Sequence, residues 1–281
     1  MKVRDWEPRR RIEREFVRAL QRALAVFLSD PADLLYPSLR AEHQSVYDDA
    51  VSKAVLRMVT QLFADNNRAW REAAREGGRG EEIYHALRRE FEGEKGQRVD
   101  EIIQRRFGHI TSYWREGGQK LPDELTQRAL RFVEQEAMKG RGRGEIEADL
   151  SQLMPDWSNA TVKRYARTAV ASTHTAVTIA RMEELKQHWY VWRTSADQRV
   201  RASHRHMDRV LVPLVEPPSP ERLIGEKFQG VYHAGQHWNC RCFAAPLMDL
   251  DYVQWPHKVF FQGRVRVMSR AEFERRFGRV E

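Results

Sequence analysis

Apolar residues recur every three or four positions through most of the first 187 residues of this chain. Ile12, Phe16, Leu20, Leu24 and Phe27 make one such stripe, with arginine and glutamate filling the other faces. That period predicts an amphipathic helix with one buried side, stopped by Ser29-Asp30-Pro31. A second stripe runs through Tyr47, Val51, Val55, Met58 and Leu62. Gly77-Gly78-Arg79-Gly80 reads as a loop, after which Ile83, Leu87 and Phe91 begin another helix. Val99, Ile102, Ile103 and Phe107 carry the next. Gly117-Gly118 predicts a further break, and Pro122-Asp123-Glu124 opens a helix holding Leu125, Ala129, Phe132 and Val133. Gly140-Arg141-Gly142-Arg143-Gly144 reads as a short basic linker. The clearest helix runs from about Ser158 to Lys186, with Ser158 or Asn159 as its cap. Val162, Tyr165, Ala169, Thr173, Ala176 and Ala180 fall on one of its faces.

After His188 the texture changes. Trp189-Tyr190-Val191-Trp192 is short, aromatic and strand-like. Four prolines between Pro213 and Pro220 predict an irregular extended loop. Lys258 to Val265 reads as a strand or hairpin arm with Gly263 at a turn, and Ser269-Arg270-Ala271-Glu272 caps a last helix ending near Phe277. No internal repeat is visible. The pattern predicts an α+β protein, mainly α. Residues 1–155 form a long helical region and residues 156–281 a small, loop-rich mixed domain.

Composition narrows the function classes. An apolar fraction of 41% supports a core, and no stretch approaches the length of a membrane span. The first residues carry no apolar run behind their charges, so no secretory leader is expected. Net charge is +8, and arginine is much commoner than lysine. That balance favours acidic partners such as nucleic acid, although alternating Arg and Glu also make ordinary solvated helix faces. The two cysteines, Cys240 and Cys242, stand one residue apart. A disulfide between them would be strained, so a reducing cytosol is expected rather than a secreted scaffold.

Those cysteines sit in His237-Trp238-Asn239-Cys240-Arg241-Cys242, about thirty residues after the dense polar stretch Trp192 to Asp208. Between them the two segments hold soft thiol donors, the imidazoles of His204, His206, His233 and His237, and the carboxylates of Asp197 and Asp208. Two thiolates and two imidazoles make a complete tetrahedral zinc set. Against that stands a plainer reading, in which alternation puts Cys240 and Cys242 on one buried face and Arg241 on the other. A hydrolytic site on His204, His206 and Asp208 would need those residues in a strand, and Ser203 to Arg209 is not strand-like. Cysteine nucleophilic catalysis lacks an oxyanion-hole signature. No catalytic residue and no organic cofactor is therefore assigned. Asp197, Arg199 and Arg201 suggest an ion-pair network that locks an irregular domain.

At these residues the chain resembles the phage Mu protein F-like head morphogenesis family, the minor head proteins of tailed phages. Three elements carry the likeness. They are the long helix with Arg167-Thr168 and Ala180-Arg181, the run Trp192-Arg193-Thr194-Ser195-x-Asp197-x-Arg199-Val200-Arg201-x-x-His204-x-x-Met207-Asp208, and His237-x-Asn239-Cys240-Arg241-Cys242. Many relatives look like Asp-x-Arg-x-Cys-x-x-Cys in the first half; here Arg201 and His204 hold the two cysteine positions. If relatives with four cysteines bind metal, the set left here is His204, His237, Cys240 and Cys242, a complete set for a structural zinc. Trp192, Asp197, Arg199, Arg201, Asp208, Asn239 and Arg241 are then expected as structural parts of the motif. The resemblance further implies a minor capsid component rather than an enzyme. It implies partnership with the portal protein and with the major capsid or scaffolding protein, and a role in packaging or delivering DNA. Nonspecific contact with double-stranded DNA fits the basic balance, and no membrane is involved. The expected locations are the host cytoplasm during assembly and the virion head interior near the portal. Two rival readings stay open: a metal-dependent hydrolase or nuclease using His204, His206, Asp208 and the cysteine pair, and a nonspecific DNA-binding protein.

Overall fold

The computed structural model describes residues 6–28, 37–76 and 94–278. Among the described residues, five helices come first: α1 (Arg10–Leu28), α2 (Pro37–Glu76), α3 (Glu94–Gln119), α4 (Leu121–Met138) and α5 (Arg143–Glu184). Strands then alternate with short helices: β1 (Trp189–Arg193), α6 (Ala202–Met207), β2 (Leu211–Pro213), α7 (Pro220–Leu223), β3 (Phe243–Pro246), β4 (His257–Phe261), β5 (Arg264–Met268) and α8 (Arg270–Phe277). The architecture is the expected α+β, mainly α. The Ser29-Asp30-Pro31 stop, the loop at Gly77 to Gly80 and the helix begun by Ile83, Leu87 and Phe91 lie outside the described residues.

The chain divides into two compact units, each assembled from separated stretches. One comprises Arg10–Gln61 and Arg106–Ala169, the other Met1–Arg9, Leu62–Arg105 and Val170–Glu281. Residue 155, where the sequence suggests a boundary, lies inside α5.

The first unit is helical. Ile12, Phe16, Leu20, Leu24 and Phe27 of α1 are all buried, as their spacing requires. Phe27 meets Tyr47 edge to face at 5.3 Å. Two expectations change here. Gly117-Gly118 does not interrupt α3 but lies in its last turn. A Cβ on Gly118 would come within 2.6 Å of Val51 Cγ1, and one on Gly117 within 3.2 Å of the Tyr165 ring. Tyr47 also donates a 2.7 Å hydrogen bond to the Gly118 carbonyl. These glycines are packing surfaces, and the expected break follows them directly, between Gln119 and Leu121. Likewise α5 begins at Arg143, fifteen residues before the expected cap at Ser158, and carries Pro155 in its interior. Ile146, Leu150 and Met154 are buried at four-residue spacing, while Pro155 is exposed. The carbonyl that the proline cannot pair belongs to the exposed Ser151, on the solvent side of α5.

The second unit contains a mixed sheet in the order β3-β1-β2-β4-β5. β1 pairs antiparallel with β2 and β3, β4 antiparallel with β5, and β2 parallel with β4. Strand alternation separates two cores. Tyr190, Trp192, Val212 and Phe260 join Met182 of α5, Trp6 and Trp70 on one side. Trp189, Leu211 and Val259 join Phe273 of α8 on the other. The final helix starts as its sequence predicts, with the Ser269 hydroxyl accepting from the Glu272 N–H. The hairpin turns at Gln262-Gly263, between β4 and β5.

Candidate functional site

The end of β1 is the foundation of the site. Trp192 is fully buried. Its N–H donates to the Val210 carbonyl, and its own carbonyl accepts from Arg209, both at 2.8 Å. Just beyond, Asp208 Oδ1 accepts from the Thr194 N–H at 2.9 Å and the Thr194 hydroxyl at 3.2 Å. The stretch from Thr194 to Asp208 is thereby closed into a loop whose ends are pinned together. Within it, Asp197 accepts from the Arg199 N–H at 2.9 Å and the Ser195 hydroxyl at 3.2 Å, an Asx-type turn.

Helix α6 sets which imidazole points inward. Ser203, His204 and Met207 are buried on one side of it, and His206 is exposed. A helical period therefore separates His204 from His206 and Asp208, which a strand would have aligned. The second half of the motif arrives on an irregular segment clamped to α5. Thr175 donates a 2.5 Å hydrogen bond to the Ala234 carbonyl. The next residue, Gly235, has φ +89°, and a Cβ there would lie 2.7 Å from both the Cys242 carbonyl and Thr175 Oγ1. Asn239, also at positive φ, turns the chain just before Cys240. Cys240 and Cys242 are both buried, with Arg241 between them only partly covered. That is the alternation expected of a single buried face.

Three links join the two halves. Arg241 pairs with Asp197 at 2.7 Å. Arg201 donates to the Trp238 carbonyl at 2.9 Å. His204 Nδ1 lies 3.4 Å from the Cys240 sulfur and 3.5 Å from that of Cys242. The partner of Asp197 across the site is Arg241, while Arg199 contributes its backbone N–H.

Behind His204 lies a buried polar network. Its Nε2 is 3.1 Å from the Tyr232 hydroxyl, which donates to Glu221 Oε1 at 2.6 Å. Ser203 donates to the same oxygen at 3.2 Å, and Glu221 is fully buried. Burial opposes ionisation of Glu221. The hydrogen bonds from Tyr232, Ser203 and its own backbone, with His204 nearby, outweigh it and hold the carboxyl below its ordinary range. An ionised carboxylate only accepts. The Tyr232 proton is thus committed to Glu221, and the Tyr232 oxygen accepts from Nε2–H of His204. Nδ1, the other ring nitrogen, faces the two sulfurs.

The thiols themselves are unequal. The hydrogen bond with Cys242, then His204, pulls Cys240 down to about 4 against the effect of burial. The same hydrogen bond, together with burial, pushes Cys242 up. The Cys242 N–H also donates to the Cys240 sulfur at 3.3 Å. His204, Cys240 and Cys242 form one metal-competent group, their donor atoms all within 4.8 Å of one another. His237 stands beside it, its ring 5.8 Å from that of His204 and edge-on. Its nitrogens point elsewhere, Nε2 to Gln229 Oε1 at 2.9 Å and Nδ1 to the Trp238 carbonyl at 3.3 Å. His233 is further off, bonded to the Tyr190 hydroxyl at 3.1 Å. Glu221 and Tyr232 escape sequence reasoning. Glu221 follows Ser219-Pro220 at the start of a one-turn helix, where an acidic residue reads simply as dipole compensation.

Residues 128–245 match the family of Phage Mu protein F like proteins. The matched segment runs from α4 to β3 and holds both halves of the motif, so the resemblance seen in the residues is borne out over this segment. This is a family of phage head morphogenesis proteins. An uncharacterized protein of Haemophilus influenzae is 30% identical over 136 residues, 47% of this chain. The chain spans only 28% of that relative's length. No solved structure matches. Among the described residues, no helix is long and apolar enough to cross a membrane.

Proposed function

We propose that this chain is a minor head protein of a tailed phage, acting in procapsid assembly and in the packaging or ejection of DNA near the portal. The observation that carries the reading lies inside the family-matched segment. There the signature residues spend their bonding capacity on one another: Asp197 on Arg241, Arg201 on Trp238, Asp208 on Thr194, and His204 on the cysteine pair. Such reciprocal use suits a structural knot that gives a loop-rich domain a fixed shape. It supports assembly over turnover. The portal protein and the major capsid or scaffolding protein are the partners on this reading. The net charge of +8 suits nonspecific contact with packaged double-stranded DNA. The chain would work in the host cytoplasm during assembly and remain in the head near the portal.

The rival hydrolase on His204, His206 and Asp208 gains no support from the geometry, because His206 is exposed and Asp208 is engaged by Thr194. Removal of the gene from its phage tests the proposal. Electron microscopy of lysates should show DNA-filled heads reduced and aberrant or empty heads increased. Filled heads in normal number would overturn it. Purified chain should show no metal-dependent DNA cleavage that disappears in His204→Ala.

A further inference from the structure

We propose that His204, Cys240 and Cys242 bind one zinc ion as a three-ligand site whose fourth position opens to the adjoining cleft, and that His237 is not a ligand. Zinc bonds to thiolate sulfur at about 2.3 Å and to imidazole nitrogen at about 2.0–2.1 Å, so tetrahedral angles require nitrogen and sulfur to stand about 3.6 Å apart. Nδ1 of His204 stands 3.4 and 3.5 Å from the two sulfurs. An ordinary hydrogen bond would single out one sulfur. Near-equal distances to two sulfurs are what a shared ion needs.

Two further observations point the same way. The Nε2–H of His204 is held by Tyr232 and, through it, by the buried carboxylate of Glu221. That is the outer arrangement which fixes a metal-binding imidazole in the correct tautomer. Two thiols and Glu221 also lie buried around a single imidazole. A dication offsets the negative charge that binding-competent thiolates would otherwise bury uncompensated.

The open position follows from the surface. All three donors line a cleft of about 260 Å³ whose rim includes Arg199, Arg201 and Arg241. Two cysteines and one histidine with a fourth position left to an outside ligand is a recognised zinc arrangement. The arginine rim favours water or a small anion there. His237 lies outside the converging group of donors, with its Nε2 turned to Gln229 Oε1 at 2.9 Å.

The test uses the full chain purified with its thiols reduced. Elemental analysis should find one zinc per chain. Cobalt in place of zinc should give the visible bands of a tetrahedral thiolate site, and added azide should shift them. His237→Ala should keep both metal content and bands, whereas His204→Ala should weaken metal binding by tenfold or more, at least the order seen when outer-shell partners are lost. Absence of zinc would overturn the site. Bands indifferent to azide, or lost in His237→Ala, would overturn the open position. If a cysteine variant fails to fold, the stoichiometry and azide response of the unaltered chain still decide.

Discussion

At the scale of single residues, the site depends on which atoms share which protons. Tyr232 bridges His204 and Glu221 with one hydroxyl. Tyr232→Phe leaves both partners buried and short of a hydrogen bond, and should cost about 1–3 kcal/mol, the penalty for a buried unsatisfied polar group. Urea unfolding of the variant reads this directly, and an unchanged midpoint would count against the network. Two other imidazoles make stability depend on pH. Burial holds His174 and His233 down to about 4, against 6.5 for an exposed histidine. The unfolded chain therefore takes up protons first as pH falls. Their contribution is complete above about pH 6.5 and is lost between there and about pH 4. The urea midpoint should decline across that window, and a flat profile would contradict the assignment.

At the scale of elements, close approach and capping do the positioning. Gly235→Ala places a Cβ 2.7 Å from the Cys242 carbonyl in a left-handed backbone. It should destabilise the chain by about 1–3 kcal/mol from strain alone, and more once the clash is counted. Gly263→Ala, at φ +70° in open space, should cost only about 1–2 kcal/mol. A comparison of thermal unfolding between the two variants separates backbone strain from collision. Ser269→Ala removes the cap of α8 and should cost about 0.5–2 kcal/mol. Elements with a strong local signal were legible in the sequence: the α1 stripe, the aromatic β1, the β4–β5 hairpin and the Ser269 cap. Tertiary context overrode the local signal elsewhere. Gly117 and Gly118 stay helical because Tyr165 and Val51 press against them, and Pro155 is tolerated because its side of α5 faces water. Likewise Cys240, Cys242 and His204 could be marked as a group from their types alone. Glu221 and Tyr232 could not, since only the fold brings them behind His204.

At the scale of the whole molecule, charge and assembly are the tests. If the +8 net charge serves contact with packaged DNA, affinity for duplex DNA should fall steeply between about 50 and 200 mM salt, because released counterions drive the binding. An affinity indifferent to salt would exclude that role. Assembly itself is tested by quantifying this chain in procapsids purified from the phage that encodes it. The chain should sediment with portal-containing particles, present in few copies relative to the major capsid protein. Its absence from those particles, with all of it free in the soluble fraction, would contradict the proposed function.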